Sequence, residues 1–401
     1  MVGPPDIAGI YLAMLDRTAA TRVTPADSTG TFLPSGWLVW VRIGTRTLVA
    51  QRFDLARGAL TGVPVTIADN IAVHSPTGNG SIAATSVAST AGLIAYRAGV
   101  PQRRQLTWFD RAGTSLGGLG PVEDTLRHVR LSPDGTRVIV SRLVDANLDL
   151  WLLEGARTTR FTFDPANESF PVWSPDGATL AFNSQRTGTS DLFLRQTNGA
   201  GSDESLVSSD QTKVSYSWSP DGRFLFYASY DPKTNADLWV VPMSGDRTPS
   251  VILRTPFRET QPMISTDGRW LAYLSDQSGR NEIYVRPFVA PGATASSPDA
   301  QWQVSSAGGI YPTWKRDGSE LYYLNPSGAM MAVPIRAEGP TVVAGSPSML
   351  FPTNIFGGGV DAQQGRQYDV AADGRFLINS LLPAAPAPIT VIQNWNPEAS
   401  K

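Results

Sequence analysis

The chain has 401 residues, a formal net charge of −2 at pH 7 and no cysteine. The small charge gives no basic field that would favour binding to nucleic acid. The lack of cysteine excludes disulfides, thiolate nucleophiles and cysteine-ligated metal sites, and only His74 and His128 can supply imidazole groups. We therefore predict no metal, no cofactor and no nucleic-acid partner.

The chain begins with MVGPPDIAGIYLAMLDR, which lacks the basic region and the long apolar region of a signal peptide. No run of about 18 apolar residues occurs later, so the sequence predicts no membrane-spanning helix. Strand-like residues 9–17 and 21–24 begin almost at once, and we expect them to form a hairpin. We interpret the sequence as an excised part of a longer protein, with Met1 added for expression.

Turn phrases that end in glycine then recur along the chain. They are FLPSG, VASTAG, LSPDG, WSPDG, WSPDG, ISTDG, WKRDG and VAADG, with glycines at positions 36, 92, 135, 177, 222, 268, 318 and 374. Successive glycines lie 42 to 56 residues apart, and a spacing near 45 is typical of one four-stranded propeller blade. The first two phrases are degenerate forms of the others.

Each repeat has the same order of elements. A short apolar strand precedes the Asp-Gly turn, and a β-rich strand such as TLAFNS or WLAYLS follows it. A polar loop then ends in an acid before an aromatic-bearing strand, at Asp149, Asp191, Asp237 and Glu282. No stretch shows sustained helical periodicity. The sequence predicts an all-β protein, a β-propeller of eight four-stranded blades, with seven blades as the alternative.

The two ends of the chain are expected to close this ring. The prediction is a single β-propeller domain over 1–401, with an N-terminal closing hairpin in 1–24, blades in 25–380, a Pro/Ala linker in 381–388 and a C-terminal closing strand and tail in 389–401. The last phrase supplies only two strands before the linker. We expect the N- and C-terminal strands to share the last blade, because this removes free sheet edges.

The repeated phrase itself indicates scaffold more than chemistry. Its aspartates occupy one turn in each blade, too far apart to share an ion, and its tryptophans are expected to pack between blades. GTSLG at residues 113–117 matches the G-x-S-x-G pattern of serine hydrolases but lies in an all-β context, so we interpret it as a turn. DANLD at residues 145–149 lacks the glycine and the glutamate of a calcium loop.

The repeat WSPDG-x3-LAF…DLF resembles the TolB-type propeller repeat, also called PD40 or WD40-like. The phrases FLPSGWLVWVR, LVAQRFD, RQLTWFDRAG, WSPDGRFLFYAS, SDQSGRNEIYVRPF and WQVSSAGG look like the C-terminal propeller of large bacterial serine/threonine protein kinases of the Acidobacteria type. This resemblance covers nearly the whole chain. It implies a sensor or interaction domain outside the cytoplasmic membrane, in the periplasm. The kinase signatures VAIK, HRDLxxxN and DFG are absent, so the chain is not itself a kinase.

The residues just before each turn strand are the candidate site, because inner strands line the channel of a propeller and their first residues reach one mouth. This set mixes acids, bases and phenols, which a scaffold does not require. The candidate ligand-binding residues are Arg127, His128, Glu168, Lys213, Tyr216, Glu259, Gln261, Tyr311, Arg366 and Tyr368. The alternative is a solvated mouth whose charges pair locally and bind nothing.

Two functions remain open at this point. The first is a non-catalytic, monomeric binding module that takes a small ligand or a peptide at the channel mouth, or a protein on one propeller face. The second is a hydrolase or lyase that acts on a small ester, glycoside or lactone in the channel. Glu168 and Glu259 would then serve as a carboxylate pair, with His128 as acid, base or ligand. Two histidines are few for such an enzyme, so binding is favoured.

Overall fold

A computed structural model gives the fold of the chain. It describes residues 9–13, 20–25, 28–42, 45, 47–69, 71, 93–97, 103–144, 147–293, 300–359, 365–383, 389–395 and 397. These residues form strands and turns, so none of them contributes a helix that could cross a membrane. The chain divides into two compact units, unit 1 (Met1–Gln102 with Pro383–Lys401) and unit 2 (Arg103–Leu382). The sequence repeats, in contrast, predict a single domain over 1–401.

Unit 1 holds the first seven strands. They are β1 (Ile10–Leu12), β2 (Thr21–Thr24), β3 (Gly30–Leu33), β4 (Trp37–Arg42), β5 (Thr47–Asp54), β6 (Ala59–Ala68) and β7 (Ile94–Arg97). Strands β1 and β2 form the expected hairpin, and β3 to β6 form a four-stranded antiparallel sheet. The phrase FLPSG is the turn between β3 and β4, with Gly36 at a φ of 86°. The phrase VASTAG and His74 lie outside the described residues.

Unit 2 contains the next 25 strands, all antiparallel to their neighbours. They are β8 (Arg104–Phe109), β9 (Ser115–Glu123), β10 (Leu126–Leu131), β11 (Arg137–Val144), β12 (Asn147–Glu154), β13 (Arg157–Arg160), β14 (Glu168–Trp173), β15 (Thr179–Ser184), β16 (Asp191–Gln196), β17 (Glu204–Val207), β18 (Thr212–Trp218), β19 (Phe224–Asp231), β20 (Asn235–Pro242), β21 (Ser250–Leu253), β22 (Glu259–Ile264), β23 (Trp270–Ser275), β24 (Glu282–Pro287), β25 (Trp302–Gln303), β26 (Ile310–Trp314), β27 (Glu320–Leu324), β28 (Ala329–Glu338), β29 (Thr341–Ala344), β30 (Ser348–Pro352), β31 (Tyr368–Val370) and β32 (Phe376–Leu381). The last strand of the chain, β33 (Ile389–Ile392), pairs with β7 in unit 1.

The strands of unit 2 form six sheets, numbered here along the chain. Sheet 1 has the order β31-β32-β8-β9, sheet 2 contains β10 to β13, and sheet 3 contains β14 to β17. Sheets 4, 5 and 6 contain β18 to β21, β22 to β25 and β26 to β30. Each of sheets 2 to 6 begins with the strand that precedes a turn phrase, and in sheet 1 that strand is β31. We call these six the inner strands.

The turn phrase has the geometry that its residues predict. In sheet 3, Asp176 accepts hydrogen bonds from the Ser174 hydroxyl at 2.5 Å and from the Ala178 amide at 3.0 Å. Gly177 has a φ of 69°, a left-handed conformation that glycine adopts at low steric cost. The same bonds recur in sheets 2, 4 and 5. The interpretation of the Asp-Gly pair as scaffold is confirmed.

Two of the three tryptophans that open a turn phrase bond to the preceding sheet, whereas the indole nitrogen of Trp218 donates to the carbonyl of Gly222 in its own turn. The indole nitrogen of Trp314 in sheet 6 donates to the carbonyl of Met263 in sheet 5 at 2.9 Å. Trp173 in sheet 3 makes the same bond to Arg130 in sheet 2 at 3.3 Å. Both rings are buried. These contacts confirm the expected packing of these two tryptophans between sheets.

The blade count and the shared terminal blade are not confirmed. The described residues hold seven sheets of four or more strands, six of them in unit 2. Sheet 1 is completed by β8 and β9, because β32 pairs with β8 from Phe376↔Phe109 to Leu381↔Arg104. This ladder leaves no place in the sheet for the terminal strands, and β1 pairs with β2 while β33 pairs with β7.

Unit 2 also has contacts between its last and first sheets. The Tyr368 hydroxyl in sheet 1 donates to the carbonyl of Tyr311 in sheet 6 at 2.6 Å. The rings of Tyr322 in sheet 6 and Phe376 in sheet 1 meet edge to face at 5.0 Å. Each inner strand from sheet 2 to sheet 6 contacts the inner strand before it, and β10 contacts β31. The six inner strands are therefore successive neighbours.

Candidate functional site

A β-bulge interrupts the inner strands at one repeated position. His128, Phe170, Gln261 and Tyr311 each lie seven residues before a turn glycine, and all four have a positive φ between 50° and 59°. The pairing register shifts at each of these points. Left-handed backbone is costly for residues with a side chain, and bulges redirect side chains. The repeats therefore maintain a strained position on the inner strands.

Several of the bulge residues surround a small cavity inside unit 2, which we call the central pocket. Its volume is about 10 Å³. The lining comes from His128 and Arg130 of sheet 2, Phe170 and Pro171 of sheet 3, Ser215 and Tyr216 of sheet 4, Tyr311 of sheet 6, and Arg366, which precedes β31. The structure thus brings together four of the predicted site residues, namely His128, Tyr216, Tyr311 and Arg366.

His128 is buried in this pocket and is held in its neutral form. Its Nδ1 lies 2.9 Å from the Ser141 hydroxyl, and its ring centroid lies 4.1 Å from that of Phe170. Burial, together with the positive charges of Arg127 and Arg130, lowers the pKa of His128 to about 3. A neutral imidazole at this depth is not a general acid near pH 7.

Arg366 spans the junction of sheets 1 and 6 at the pocket. One terminal nitrogen donates to the carbonyl of Pro312 at 2.8 Å, and the other donates to the Thr313 hydroxyl. The guanidinium also lies 5.9 Å from the ring centre of Tyr311 and 5.6 Å from that of Tyr368. Arg366 is buried, so its charge acts in a low-dielectric environment.

The charged residues at the starts of the inner strands lie between sheets. Glu168, Lys213 and Glu259 each lie nine residues before a turn glycine and are almost fully buried. Lys213 of sheet 4 binds Asp191 of sheet 3 at 2.7 Å, and Glu168 binds Arg186. The sequence predicted these three side chains at an open channel mouth. They are instead inaccessible to solvent, because neighbouring sheets cover the first residues of each inner strand.

Glu259 has no cationic partner among the described residues at the equivalent junction. Its Oε1 accepts a hydrogen bond from the Thr255 hydroxyl at 2.5 Å, whereas its Oε2 has no hydrogen-bond partner among the described residues. Burial first, and then the negative charges of Asp237 and Asp276, raise the pKa of Glu259 to about 7. Burial also raises the pKa of Glu168 to about 7, although Arg186 opposes that shift.

The other predicted residues support the inner strands. The Gln261 side-chain oxygen accepts from the Tyr311 amide at 2.6 Å, and Tyr368 donates to the carbonyl of Tyr311. Arg127 is partly exposed. Nine of the ten predicted residues therefore divide among the central pocket, the sheet junctions and these supporting bonds, with Arg127 outside all three groups, and the role of the ten in ligand binding stays a prediction.

A large cavity of unit 2 opens among the turn phrases, and we call it the funnel. Its volume is about 540 Å³. It receives from every sheet the residue that lies two positions before the turn glycine. These residues are Pro133, Pro175, Pro220, Thr266, Arg316 and Ala372. Because all six sheets contribute the same position, the funnel lies around the common axis of the inner strands.

The funnel wall is mainly apolar, with two charged groups. Met263, Trp314 and Val370 contribute apolar surface, while Arg316 is exposed and Asp369 is partly exposed. The two carboxylate oxygens of Asp369 accept from the amides of Leu131 and Val370, each at 2.9 Å. These bonds fix the carboxylate in place. The wall can therefore hold an apolar group and offer both signs of charge near it.

None of the ten predicted residues lines the funnel. Sequence reasoning missed its residues because it assigned the whole turn phrase to scaffold. One signal was available in the phrase itself. Within the six repeats of unit 2, the position two before the glycine is proline in three and threonine, arginine or alanine in the other three, although the Asp-Gly turn does not need these changes.

Comparison with known proteins agrees with this architecture. Residues 125–235 match the family described as the TolB beta propeller domain, PD40. Dipeptidyl-peptidase 5 of Porphyromonas gingivalis is 29% identical over 121 residues, which are 27% of this chain and 17% of that protein. The chain thus spans about one sixth of this curated relative.

Two solved structures match the chain over most of its length. The putative TolB from Agrobacterium tumefaciens has a TM-score of 0.53 at 17% identity, with 70% of this chain and 99% of that chain covered. TolB from Acinetobacter baumannii has a TM-score of 0.42 at 13% identity, with 90% and 80% covered. Identities this low show the fold alone. The family match and the Agrobacterium structure support a β-propeller of the TolB type.

Proposed function

We propose that the chain is a non-catalytic binding module and that its unit 2 is a six-bladed propeller which takes a peptide segment of a partner protein in the funnel. The observation that carries this proposal is the funnel itself, lined at one repeated position by all six sheets. Its volume of about 540 Å³ is within the usual range of roughly 300–1,000 Å³ for ligand pockets.

The lining favours a peptide over a sugar or a nucleotide. Three prolines, together with Met263 and Trp314, offer apolar surface to side chains. Arg316 and Asp369 offer one charge of each sign, which suits the mixed polarity of a polypeptide. The two charges are too few to neutralise a polyphosphate.

The catalytic alternative gains no support from the geometry. Glu168, Glu259 and His128 are all buried, and among the described residues no hydrogen bond joins any two of them. His128 is neutral near pH 7 because of its low pKa. A general acid or base must reach the reacting atom, and these three side chains are covered by neighbouring sheets.

The resemblance to kinase-linked propellers extends the proposal to the parent protein. We propose that this module is the sensor part of a larger signalling protein, such as a receptor-like kinase, with the propeller in the periplasm. The reading frame that encodes the natural protein tests this directly. An upstream kinase domain with VAIK and HRD motifs and a membrane segment is expected, and a complete frame without them would refute it.

A displayed peptide library tests the funnel. Random heptapeptides are selected on the immobilised chain, and the enriched peptides are measured by fluorescence anisotropy. Ala372→Trp places a large ring in the funnel, whereas Ala337→Trp makes the same change at an exposed position of β28. We expect Ala372→Trp to weaken binding at least tenfold and Ala337→Trp to leave it unchanged. The absence of any enriched peptide, or equal binding by both variants, would refute the proposal.

A further inference from the structure

The central pocket concentrates positive charge inside unit 2. Arg130 and Arg366 both line it, while none of the described residues around it is a carboxylate. The remaining lining is neutral, since it consists of Phe170, Pro171, Ser215, two tyrosines and His128, whose pKa is far below 7. Buried charges in proteins are normally paired, so Arg366, which is buried beside a second arginine, needs an explanation.

The contacts of Arg366 satisfy hydrogen bonds but do not balance its charge. Its terminal nitrogens donate to a carbonyl of Pro312 and to the hydroxyl of Thr313, which are both neutral acceptors. Its Nε has no hydrogen-bond partner within the described part of the chain. Arg366 is also buried. Among the described residues, its charge therefore lacks both solvent and a direct counter-charge.

Arg130 lines the same pocket and is partly exposed. Within the described part of the chain, its guanidinium donates to the carbonyl of Tyr216. Asp369 is the carboxylate whose charge acts on Arg130, but its oxygens accept from backbone amides, and no ion pair links it to either arginine in the described residues. Burial, followed by the positive charge of Arg366, lowers the pKa of Arg130 to about 9. The pair therefore carries one positive charge more than Asp369 can balance.

The size of the central pocket restricts what could supply the missing charge. A volume of about 10 Å³ corresponds to roughly one water-sized species. A carboxylate, phosphate or sulfate is larger still than a halide ion, which is the smallest common anion that supplies the missing charge. We propose that the central pocket binds a single halide ion, chloride under physiological conditions, between the guanidinium groups of Arg130 and Arg366. This site is separate from the funnel and does not depend on the proposed peptide ligand.

Bromide is the probe, because it resembles chloride and has a measurable anomalous signal. Crystals of the wild-type chain grown in sodium bromide are expected to show an anomalous peak between Arg130 and Arg366. In parallel, thermal unfolding is followed at constant ionic strength while bromide replaces gluconate, which is too large for the pocket. Above half-saturation, we expect Tm to rise by about 2–4 °C for each tenfold increase in bromide.

Two variants separate this site from a general salt effect. Arg366→Gln removes one of the two charges, and we expect its Tm difference between bromide and gluconate to disappear. Arg223→Gln makes the same change at an exposed arginine paired with Asp221, and its halide response should equal that of the wild type. The comparison is made within each variant, so a lower basal Tm does not affect it. If Arg366→Gln does not fold, the wild-type diffraction experiment decides alone.

The proposal is overturned by any of three results. These are equal Tm values in bromide and gluconate for the wild type, an anomalous peak at other positions only, or an undiminished halide response in Arg366→Gln. A peak at the central pocket with a response lost only in Arg366→Gln supports it.

Discussion

The junction between sheets 4 and 5 makes a sharp prediction about pH. Glu259 is buried there beside Asp237, and its pKa is raised from 4.5 to about 7. The folded protein therefore holds a proton on Glu259 that the unfolded chain releases between these two pH values. The contribution of Glu259 to stability is consequently complete below about pH 4.5 and is lost as pH rises to about 7, since this group binds fewer protons in the unfolded state over this window.

The magnitude follows from the two pKa values. At about 1.4 kcal/mol for each pH unit, the interval from 4.5 to about 7 corresponds to a loss of about 3 kcal/mol, as an upper bound. Glu259→Gln keeps the shape and an acceptor for the Thr255 hydroxyl but cannot ionise. We expect this variant to match the wild type at pH 4.5 and to exceed its stability by up to about 3 kcal/mol at pH 8.

Urea unfolding monitored by tryptophan fluorescence and circular dichroism measures this difference. Both proteins are unfolded at pH 4.5, 6 and 8, and the free energies are compared at each pH. Glu338→Gln serves as the matched control, because it removes the same charge at an exposed position of β28. The reasoning is refuted if Glu259→Gln differs from the wild type by the same amount at every pH, or if Glu338→Gln shows the same pH dependence.

Three further changes test the scaffold by urea unfolding. Lys213→Met removes the partner of buried Asp191 and should cost about 3–5 kcal/mol; a cost below 1 kcal/mol would show that this pair is not structural. Gly222→Ala adds a methyl group where no atom lies within 4 Å, but φ is 76°, so backbone strain alone should destabilise the protein by about 1–2 kcal/mol. An unchanged urea midpoint would contradict the turn geometry. Tyr368→Phe removes the donor to the Tyr311 carbonyl and should cost about 1–3 kcal/mol, whereas a neutral result would mean that this bond does not join sheets 1 and 6.

Much of the local structure follows from the sequence. The Ser-x-Asp-Gly phrase specifies its turn because every bond in it joins residues at most five positions apart, as between the Thr179 amide and the Ser174 hydroxyl. Alternating strands on both sides, and the absence of helical periodicity, then indicate four-stranded antiparallel sheets. The tryptophans at one repeated position likewise indicate packing between neighbouring sheets.

The completion of sheet 1 is decided by tertiary structure. Strand β32 pairs with β8, which lies more than 260 residues earlier in the chain. Both strands consist of ordinary strand residues, and neither sequence identifies the other strand as its partner. The spacing of the turn phrases therefore gives the number of repeats. It does not show which strands complete the sheet of the last repeat.

The site was also only partly readable from the sequence. His128, Tyr216, Tyr311 and Arg366 were chosen from their positions before the turns, and they line one pocket because the first residues of the inner strands lie close together; their role in ligand binding stays a prediction. The sequence did not predict that Glu168 and Glu259 are covered, since burial depends on the sheet packed alongside each strand. Nor did it reveal the funnel, whose lining combines six turn residues that touch the same space only once the six sheets are arranged around it. Short-range hydrogen bonds determined the turns, whereas the packing of distant sheets decided which side chains became accessible.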